Sequence, residues 1–287
     1  MQTIHPLADM TLWSNEVITS GSTIALVPTM GYFHEGHLSL MRLARRLADR
    51  VVVSLFVNSL QFGPSEDLSR YPRDLVRDSR MAADEKVDIL FVPTDSEIYE
   101  PDFNTRVSVC GITDTLCGKQ RPGHFEGVTT VVAKLFNIVK PHIAVFGQKD
   151  FQQLSVISKM TRDLNWDIEI VGHPIVREED GLAMSSRNTY LSSEEREQSL
   201  CLYKSIQHAK TRFDNGFTDA ELLKSEIRDI ILANSGVSVD YISVVDKDNL
   251  SDKEVIDSNS VLALAVKVGQ TRLIDNYFMG CDTETSK

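Results

Sequence analysis

Residues 24–40, which read IALVPTMGYFHEGHLSL, decide the fold of this chain. They begin with a short apolar run that contains a proline near its end, a pattern typical of a buried strand. They end with apolar residues at helical spacing, from Leu38 to Leu47, which indicates a helix. Between the two lie Gly31, Gly36 and two histidines. The stretch therefore predicts a strand, a turn that contains glycine and the start of a helix.

A turn of this kind is suited to binding a phosphate group. The first N–H groups of a helix have no partner within the helix and carry partial positive charge. His34 and His37 are three residues apart, so both can face one anion. Gly36 between them lets a nucleotide lie close to the backbone. The spacing does not match the zinc-protease pattern, and the Walker and Rossmann glycine patterns are absent from the turn.

The composition is that of a globular protein with one large or two medium domains, since 42% of the 287 residues are hydrophobic and 25% are charged. No apolar run could cross a bilayer, and residues 1–9 lack a secretory pattern, so we expect a cytoplasmic protein and no membrane partner. Cys110, Cys117, Cys201 and Cys281 lack metal-site spacing and suit a reducing compartment. The net charge of −11 argues against a nucleic-acid partner, but a nucleotide site needs only a few local cations.

Further apolar runs predict more strands of a parallel sheet, because strands that are buried on both faces are apolar throughout. Helical stripes between them predict βαβ units. The predicted strands cover residues 51–57, 89–93, 143–146 and 168–171, with a possible strand at 105–110. The predicted helices of this half cover residues 6–20, 38–47, 68–84 and 128–139.

Polar residues follow two of these strands, at the edge where open α/β sheets bind ligands. Asn58 and Gln61 come after the second strand and could hold a hydroxyl or carboxylate of a small substrate, or form a plain polar turn. Lys149 comes shortly after the strand at 143–146, where it could meet an α-phosphate. Gln153 lies further along the helix that follows, so it can face the same cavity.

Three other charged motifs contain candidate site residues. In the basic loop at residues 119–127, Arg121 is a candidate gate over phosphate. Asp78 lies one helical turn from Asp74 and could approach a metal–phosphate group, although such pairs are more often solvated. The segment at 185–187 combines two serine hydroxyls with a guanidinium that suits β- and γ-phosphate oxygens, or it is a simple serine-rich turn.

The sequence pattern changes in the last third of the chain. Residues 172–181 are rich in glycine, proline and charge, which predicts a domain hinge. Two predicted helices (193–213 and 219–234) and three alternating segments follow, and Gly269-Gln270 between the last two is a hairpin signal. We predict an α/β fold with a Rossmann-like parallel-sheet domain at 1–176 and a smaller α+β lid domain with an antiparallel sheet at 177–287.

The histidine turn resembles the His-x-Gly-His signature of the nucleotidylyltransferase superfamily. Nearly the whole chain resembles the pantoate–β-alanine ligase family, through motifs that occur in one order at residues 28–40, 56–64, 71–73, 121–125, 146–153, 184–188 and 272–276. The resemblance implies an ATP-dependent enzyme that condenses (R)-pantoate with β-alanine to pantothenate. Pantoyl adenylate is the implied intermediate, and AMP and pyrophosphate are the implied by-products. It also implies Mg²⁺ with the ATP and a homodimer formed through the N-terminal domain.

The resemblance assigns roles to individual residues. The implied catalytic residues are His34, His37, Lys149 and Arg187, with His37 as proton donor. Pantoate is expected to contact Met30, Asn58, Gln61 and Gln153, with Gln61 also near β-alanine. Asp78 is the candidate metal ligand. The implied ATP-binding residues are Pro28, Thr29, Met30, Gly31, His34, Gly36, His37, Gly147, Gln148, Lys149, Asp150, Val176, Met184, Ser185, Ser186 and Arg187.

The chain departs from the family pattern at three positions. Tyr32 and Phe33 stand where small residues are usual, which could change packing around the histidine turn. Ser59 stands where proline is usual, which could loosen the loop that presents Gln61. None of the three is a proposed ligand, so they bear on substrate affinity and not on the reaction type.

Two other functions fit part of the sequence. An adenylyltransferase with a different acceptor would share the histidine turn but does not require Gln61, Gln153 or the C-terminal sheet, and it would yield a dinucleotide product. A silent nucleotide-binding or tRNA-interacting module would bind ATP without releasing pyrophosphate. The negative charge argues against tRNA. A catalytically silent module is disfavoured by the presence of His34, His37, Lys149 and Arg187.

Overall fold

The structure is a computed structural model and describes residues 1–64 and 66–280. Its contacts divide the chain into two compact units. Unit 1 comprises Met1–Thr113, Arg121–Gln148 and Gln153–His173, and unit 2 comprises Asp114–Gln120, Lys149–Gln152 and Pro174–Lys287. Two short segments from the first 176 residues therefore group with the C-terminal part. The predicted division into domains at 1–176 and 177–287 stays a prediction.

Unit 1 is built on a six-stranded sheet in which every neighbouring pair is parallel. The strand order is β1-β4-β3-β2-β5-β6, so the predicted α/β fold is confirmed. The order reverses direction between β2 and β5, and this topological switch point is where open α/β sheets bind ligands. The strands are β1 Gln2–Ile4, β2 Ile24–Thr29, β3 Arg50–Leu55, β4 Ile89–Phe91, β5 Ile143–Gly147 and β6 Glu169–His173.

The helices of the described residues follow the apolar stripes of the sequence. Helix α2 buries Leu40, Met41 and Ala44 against the sheet, as a one-sided helix should. The helices are α1 Leu7–Thr19, α2 Glu35–Leu47, α3 Leu75–Asp84, α4 Asp95–Ile98, α5 Leu116–Gln120, α6 His124–Val139, α7 Phe151–Asp163, α8 Ser193–Ser199, α9 Cys201–Asp214 and α10 Ala220–Leu232. Short 3₁₀ turns occur at Ser59–Gln61, Gln148–Asp150 and Ser186–Tyr190.

Three local predictions differ from the structure. Residues 105–110 form no strand, although their alternating pattern suggested one. Helix α3 begins at Leu75 and not at residue 68, because Asp74 caps it by accepting the N–H of Arg77 (3.0 Å). The predicted helix at 193–213 is two helices that meet at Leu200.

Unit 2 contains the predicted antiparallel sheet, in the order β7-β8-β9. Its strands are β7 Val237–Asp246, β8 Ser260–Val268 and β9 Thr271–Phe278. Gly269 and Gln270 join β8 to β9, as the hairpin signal indicated. One face of the sheet packs with α9 and α10 around a core that includes Leu223, Ile227 and Leu264.

Two further observations concern the described residues. No helix among them is long and apolar enough to span a membrane. Cys110, Cys117 and Cys201 are free thiols. Cys281 lies outside the residues that the structure describes.

Candidate active site

The histidine turn begins where β2 ends, at the switch point of the sheet. Gly31 (φ 84°) and Tyr32 (φ 53°) both adopt left-handed backbone conformations. A Cβ on Gly31 would lie 3.0 Å from the Leu55 side chain and 3.1 Å from Asp78 Oδ2. The conformation and the close contacts together explain why glycine occupies this position.

Asp78 of α3 holds the backbone of this turn. Its Oδ2 accepts the N–H of Tyr32 (2.6 Å), and its Oδ1 accepts the N–H of Phe33 (2.8 Å). The side chain is 1% exposed. Burial raises the pKa of Asp78, while the two N–H bonds act in the opposite direction. The neighbouring Arg77 donates to the carbonyl of Phe33 (2.8 Å), so α3 holds the turn through two side chains.

The predicted role of Asp78 as a metal ligand has no support in this geometry. Both of its oxygens bind backbone N–H groups, and a bound cation would compete with them. Across residues 1–64 and 66–280, no group of three or more His, Cys, Asp or Glu side chains could hold a metal ion. The described residues therefore offer no such cluster that could serve as a protein cage for Mg²⁺.

The two histidines face each other at the start of α2, with ring centroids 4.1 Å apart. His34 is the N-cap residue, and its N–H donates to Nδ1 of His37 (3.3 Å). Because Nδ1 accepts this bond, the proton of a neutral His37 ring lies on Nε2. The turn therefore favours the neutral His37 tautomer that carries its proton on Nε2. In this tautomer the Nε2–H group can donate to a ligand.

The unusual residues of the turn have definite places. Phe33 is fully buried in the core of unit 1, and its ring lies 5.5 Å from that of His37. Tyr32 lies under the guanidinium of Arg77, 5.0 Å from ring centroid to Cζ. The two aromatic residues thus pack on both sides of the turn, where smaller residues would leave these contacts unmade.

Gln61 follows β3 in a 3₁₀ turn, and its side chain is oriented from two directions. Asn58 Nδ2 donates to Gln61 Oε1 (3.0 Å), and Gln61 Nε2 contacts Met30 Sδ (3.1 Å). Asn58 is in turn held by Tyr99, whose hydroxyl donates to its Oδ1 (2.7 Å). Burial raises the pKa of Tyr99, so this hydroxyl stays protonated. The structure thus brings Met30, Asn58 and Gln61 together.

The backbone of Gln61 has its own supports, which were not predicted from the sequence. His124 Nδ1 lies 2.9 Å from the Gln61 carbonyl oxygen, and its Nε2 lies 3.0 Å from Arg121 Nη1. Arg121 forms a two-pronged ion pair with Glu66 (2.6 and 2.7 Å). Arg121 therefore braces the Gln61 loop, and this role differs from the predicted gate over phosphate. The sequence has no local signal of such a brace, because Arg121 is 55 positions from Glu66 and His124 is 63 positions from Gln61.

Two more contacts fix the same loop. The hydroxyl of Ser59 donates to Asp95 Oδ1 (2.6 Å), so a side-chain bond restrains the loop where proline is usual in the family. A Cβ on Gly127 of α6 would lie 2.4 Å from the Leu60 carbonyl oxygen. Gly127 therefore allows α6 to pack directly against the 3₁₀ turn that carries Gln61.

The remaining predicted residues of unit 1 lie along β2, β5 and α7. Pro28 and Thr29 end β2, and the Thr29 hydroxyl donates to the Ser54 carbonyl (2.7 Å). Gly147 ends β5. Gln153 lies in the first turn of α7 and is half-buried.

In unit 2, Lys149 is part of a 3₁₀ turn that is bonded to β9. Asn276 Nδ2 donates to the Lys149 carbonyl (2.9 Å). Close by in sequence, Gln152 accepts the N–H of Cys117 (2.9 Å) and donates to the Thr115 carbonyl (2.8 Å). Gln152 is buried and links segments 114–120 and 149–152. The predicted pantoate ligand is its neighbour, Gln153.

The serine-arginine motif of unit 2 follows a short hairpin. Met184 N–H donates to the Val176 carbonyl (3.0 Å), and Glu178 N–H donates to the Leu182 carbonyl (2.9 Å). Ser185 caps the 3₁₀ turn that contains Ser186 and Arg187. The hairpin thus brings Val176 and Met184, two predicted ATP contacts on its opposite strands, into direct contact.

The fold and these residues define a class of protein. A parallel sheet with polar side chains at its switch point, and a histidine pair at a helix start, is the arrangement of a nucleotide-binding α/β enzyme. The family model described as pantoate–beta-alanine ligase matches residues 2–278. The chain belongs to this family, as the sequence predicted.

Individual relatives agree with the family match. The chain is 52% identical over 280 residues to the pantothenate synthetase of Syntrophus aciditrophicus, covering 98% of each chain. The chain is also 52% identical to the pantothenate synthetase of Thermotoga petrophila, and the match covers 98% of this chain and 100% of the relative. The crystal structure of pantothenate synthetase from Thermus thermophilus superposes with a TM-score of 0.92 at 41% identity, covering 97% and 99% of the two chains.

Another relative was solved with ligands. The pantoate–beta-alanine ligase of Francisella tularensis, in complex with beta-gamma ATP and beta-alanine, has a TM-score of 0.82 and 32% identity to this chain. The match covers 98% of this chain and 99% of that one. The prediction of an enzyme is confirmed by these relatives.

Proposed function

We propose that this chain performs its family's reaction with ATP and holds pantoate on amide side chains of unit 1. A carboxylate oxygen of (R)-pantoate attacks the α-phosphorus of ATP, and pyrophosphate leaves. The amine of β-alanine then attacks the acyl carbon of pantoyl adenylate, AMP leaves, and the amine loses a proton. The substrate carboxylate is the nucleophile, so the protein has to align the reactants and stabilise charge.

The observation that carries this proposal is the oriented Gln61 beside Met30. Its carboxamide is held by Asn58 on one side and reaches the Met30 sulfur on the other, between the ends of β2 and β3. Neutral amides bind a carboxylate without withdrawing its charge, so pantoate stays nucleophilic. Gln153 of α7 is the second proposed pantoate contact, and Gln61 is also the proposed β-alanine contact.

The proposed donors to ATP are two histidines and two cations. His37 has its Nε2–H directed away from the His34 N–H, so it can donate to an oxygen that gains charge at the α-phosphorus. In unit 2, Lys149 is proposed to meet the α-phosphate, and Arg187 with Ser185 and Ser186 the β- and γ-phosphates. The other proposed ATP contacts are Pro28, Thr29, Met30, Gly31, His34, Gly36, Gly147, Gln148, Asp150, Val176 and Met184.

Three finer assignments belong to the same proposal. Mg²⁺ is proposed to arrive with the ATP and to be held by its phosphates, which is how Mg²⁺ commonly binds where the protein offers no cage. A homodimer is proposed through the N-terminal domain, and a cytoplasmic location is proposed for a biosynthetic enzyme of this kind. Nucleic acid and membrane are not among the proposed partners.

The deciding experiment is product analysis with ATP, Mg²⁺, (R)-pantoate and β-alanine, in which each component is omitted in turn. The expected result is pantothenate, AMP and pyrophosphate in equal amounts with the full mixture. Without β-alanine, one equivalent of pyrophosphate per active site is expected, because the adenylate forms and stays bound.

Two outcomes would reject the proposal. Accumulation of a dinucleotide with release of pyrophosphate would identify an adenylyltransferase with a different acceptor. ATP binding without pyrophosphate release in a folded sample would identify a silent nucleotide-binding module.

A further inference from the structure

Two consecutive residues of the last strand contact both predicted phosphate-binding segments of unit 2. Asp275 and Asn276 lie in β9, paired with Leu264 and Ala263 of β8. Successive side chains of a strand point to opposite faces of the sheet. Asp275 therefore contacts the hairpin at residues 176–184, and Asn276 contacts the turn that contains Lys149.

The Asp275 arm is a buried ion pair. Arg177 donates to Asp275 Oδ2 (2.7 Å) and Oδ1 (3.0 Å), and the aspartate side chain is fully buried. The same guanidinium donates to the Gly181 carbonyl (3.0 Å) and lies over the Tyr203 ring at 5.0 Å. Arg177 pairs with Ala183 across the hairpin. Asp275 thus fixes the base and the turn of the hairpin that leads directly into residues 185–187.

The Asn276 arm is a hydrogen bond to the backbone. Asn276 is 4% exposed, and its Nδ2 donates to the carbonyl oxygen of Lys149 (2.9 Å). The Asn276 N–H donates to Asp275 Oδ1 (2.8 Å), so the two arms share an atom. Phe278, two residues further along the same face of the strand, packs edge-on against Phe151 at 5.1 Å. Segment 149–152 is therefore attached to β9 at two points, Lys149 and Phe151.

We propose that Asp275 and Asn276 are positioning residues that set the spacing between the Lys149 ammonium and the Arg187 guanidinium. This rests on the proposed function, in which these two cations bind the phosphates of one ATP. Neither Asp275 nor Asn276 is assigned a contact with substrate. Asp275 and Asn276 therefore act on the rate indirectly, by fixing the two backbone segments that carry the cations. Displacing a cation by about 1 Å can cost about 100-fold in rate.

The Asn276 arm is tested with Asn276→Asp, which keeps the shape of the side chain and replaces the donor by an acceptor facing the Lys149 carbonyl. The readout is single-turnover pyrophosphate release with ATP, Mg²⁺ and (R)-pantoate, with enzyme in excess so that slow reactions can be followed for hours. We expect release to slow by about 10- to 100-fold. The matched control is Asn234→Asp, which loses the same kind of bond to the carbonyls of Ile230 and Ile231 in the same unit. Its rate of release should equal that of the wild type.

A double-mutant cycle separates positioning from a general loss of structure. Asn276→Asp is repeated in the Lys149→Met background, where no ammonium remains to be positioned. We expect the effect of Asn276→Asp to shrink to less than about threefold in that background. An equal effect in both backgrounds would reject the inference, since a structural defect does not depend on the lysine side chain.

The Asp275 arm is tested with Arg177→Lys, which keeps the charge beside Asp275 but loses the two-pronged contact. Slower release is expected, and a much smaller effect in the Arg187→Met background. Circular dichroism must first show a folded protein at the assay temperature. Equal effects in the two backgrounds would reject this arm.

The wild-type reaction distinguishes the two levels of failure. If the wild type releases no pyrophosphate with pantoate, the proposed function fails and this inference fails with it. If the wild type is active and the cycles are additive, the inference alone fails. An unchanged rate of pyrophosphate release by Lys149→Met would likewise reject the inference. The Lys149 ammonium would then not contribute to the rate, so its position could not matter.

Discussion

At the scale of single residues, hydrogen bonds decide which chemistry each side chain can perform. His37 is a donor at Nε2 because its Nδ1 accepts the His34 N–H. Gln61 presents a fixed carboxamide because Asn58 occupies its oxygen. Asp78, by contrast, uses both oxygens on the backbone of the histidine turn. The same carboxylate that is a candidate metal ligand in the sequence is a structural anchor in the fold.

Removal of the His37 ring should stop adenylation and leave the fold intact. We expect His37→Ala to slow single-turnover pyrophosphate release by about 100- to 1,000-fold, the usual cost of one donor to a developing charge. His5→Ala is the matched control, because His5 is exposed and its Nδ1 lies 2.9 Å from the Val92 carbonyl oxygen, at a position with no predicted role in the site. Wild-type release by His37→Ala would contradict the role assigned to this residue.

The ion pair of Glu66 and Arg121 should make stability depend on pH. Burial raises the pKa of Glu66, but Arg121, the Gly63 N–H and His124 together outweigh burial, so the pKa lies below its usual value. A lowered pKa stabilises the fold above the ordinary pKa of a glutamate, and this contribution is lost as the pH falls through the lowered value.

Glu66→Gln provides the measurement for this pH dependence. It should lower the free energy of unfolding by about 1–3 kcal/mol at neutral pH, the range for hydrogen bonds to charged groups. The difference from the wild type should shrink as the pH falls below about 4. Urea denaturation of both proteins at a series of pH values would measure this difference in the free energy of unfolding. A difference that grows as the pH falls would contradict the stabilising role of the Glu66 carboxylate.

At the scale of elements, close packing of α6 on the 3₁₀ turn positions the loop that is proposed to bind pantoate. The turn that carries Gln61 lies against Gly127, and His124 at the start of the same helix contacts the Gln61 carbonyl. Helix α3 acts on the histidine turn in the same way, through Asp78 and Arg77. Each of the two turns with a proposed role in substrate binding is thus supported by a helix whose side chains hold its backbone.

Gly127→Ala should disturb the pantoate site more than the ATP site. The added methyl group would lie 2.4 Å from the Leu60 carbonyl oxygen, so either the helix or the turn must move. We expect a loss of about 1–3 kcal/mol in the free energy of unfolding, typical of overpacking, and a raised KM for pantoate.

Gly63→Ala is the control for that change, since its methyl group would meet the Glu66 side chain at an ordinary 3.7 Å. Thermal denaturation and steady-state kinetics would be compared for the two variants. If Gly127→Ala raised the KM for ATP and left that for pantoate unchanged, the helix would not support the site in the way described.

At the scale of the whole molecule, the chain combines a net charge of −11 with predicted phosphate-binding residues. The cations concerned are few and local, and two of them, Lys149 and Arg187, belong to unit 2. Unit 2 also includes segments 114–120 and 149–152, which come from the middle of the sequence. The predicted boundary at residue 176 could not include them, because they join unit 2 only through contacts made in the folded chain.

The proposed homodimer can be measured directly. Sedimentation equilibrium should give twice the chain mass of 32.2 kDa at micromolar concentration. We expect ATP and pantoate to leave this mass unchanged, because the dimer is proposed to form without its substrates. A mass of one chain over the whole concentration range would contradict the proposal.

Much of the fold follows from local pattern. Continuous apolar runs at 24–29 and 143–147 are long enough to be read as buried strands, and the Gly269-Gln270 hairpin has a turn signal of its own. Strand β1 spans three residues, which is too short for a periodic signal. The start of α3 depends on a cap by Asp74, and the predicted strand at 105–110 found no partner to pair with among the described residues.

The sequence by itself determined the family and the fold class and predicted the residues for substrate binding, because motifs and periodicity are local properties of the chain. The tertiary structure decided which residues support them. Asp78 meets Tyr32 across 46 positions, His124 meets Gln61 across 63, and Asn276 meets Lys149 across 127. No local pattern encodes these pairs, since each depends on where the strands and helices place two distant backbones.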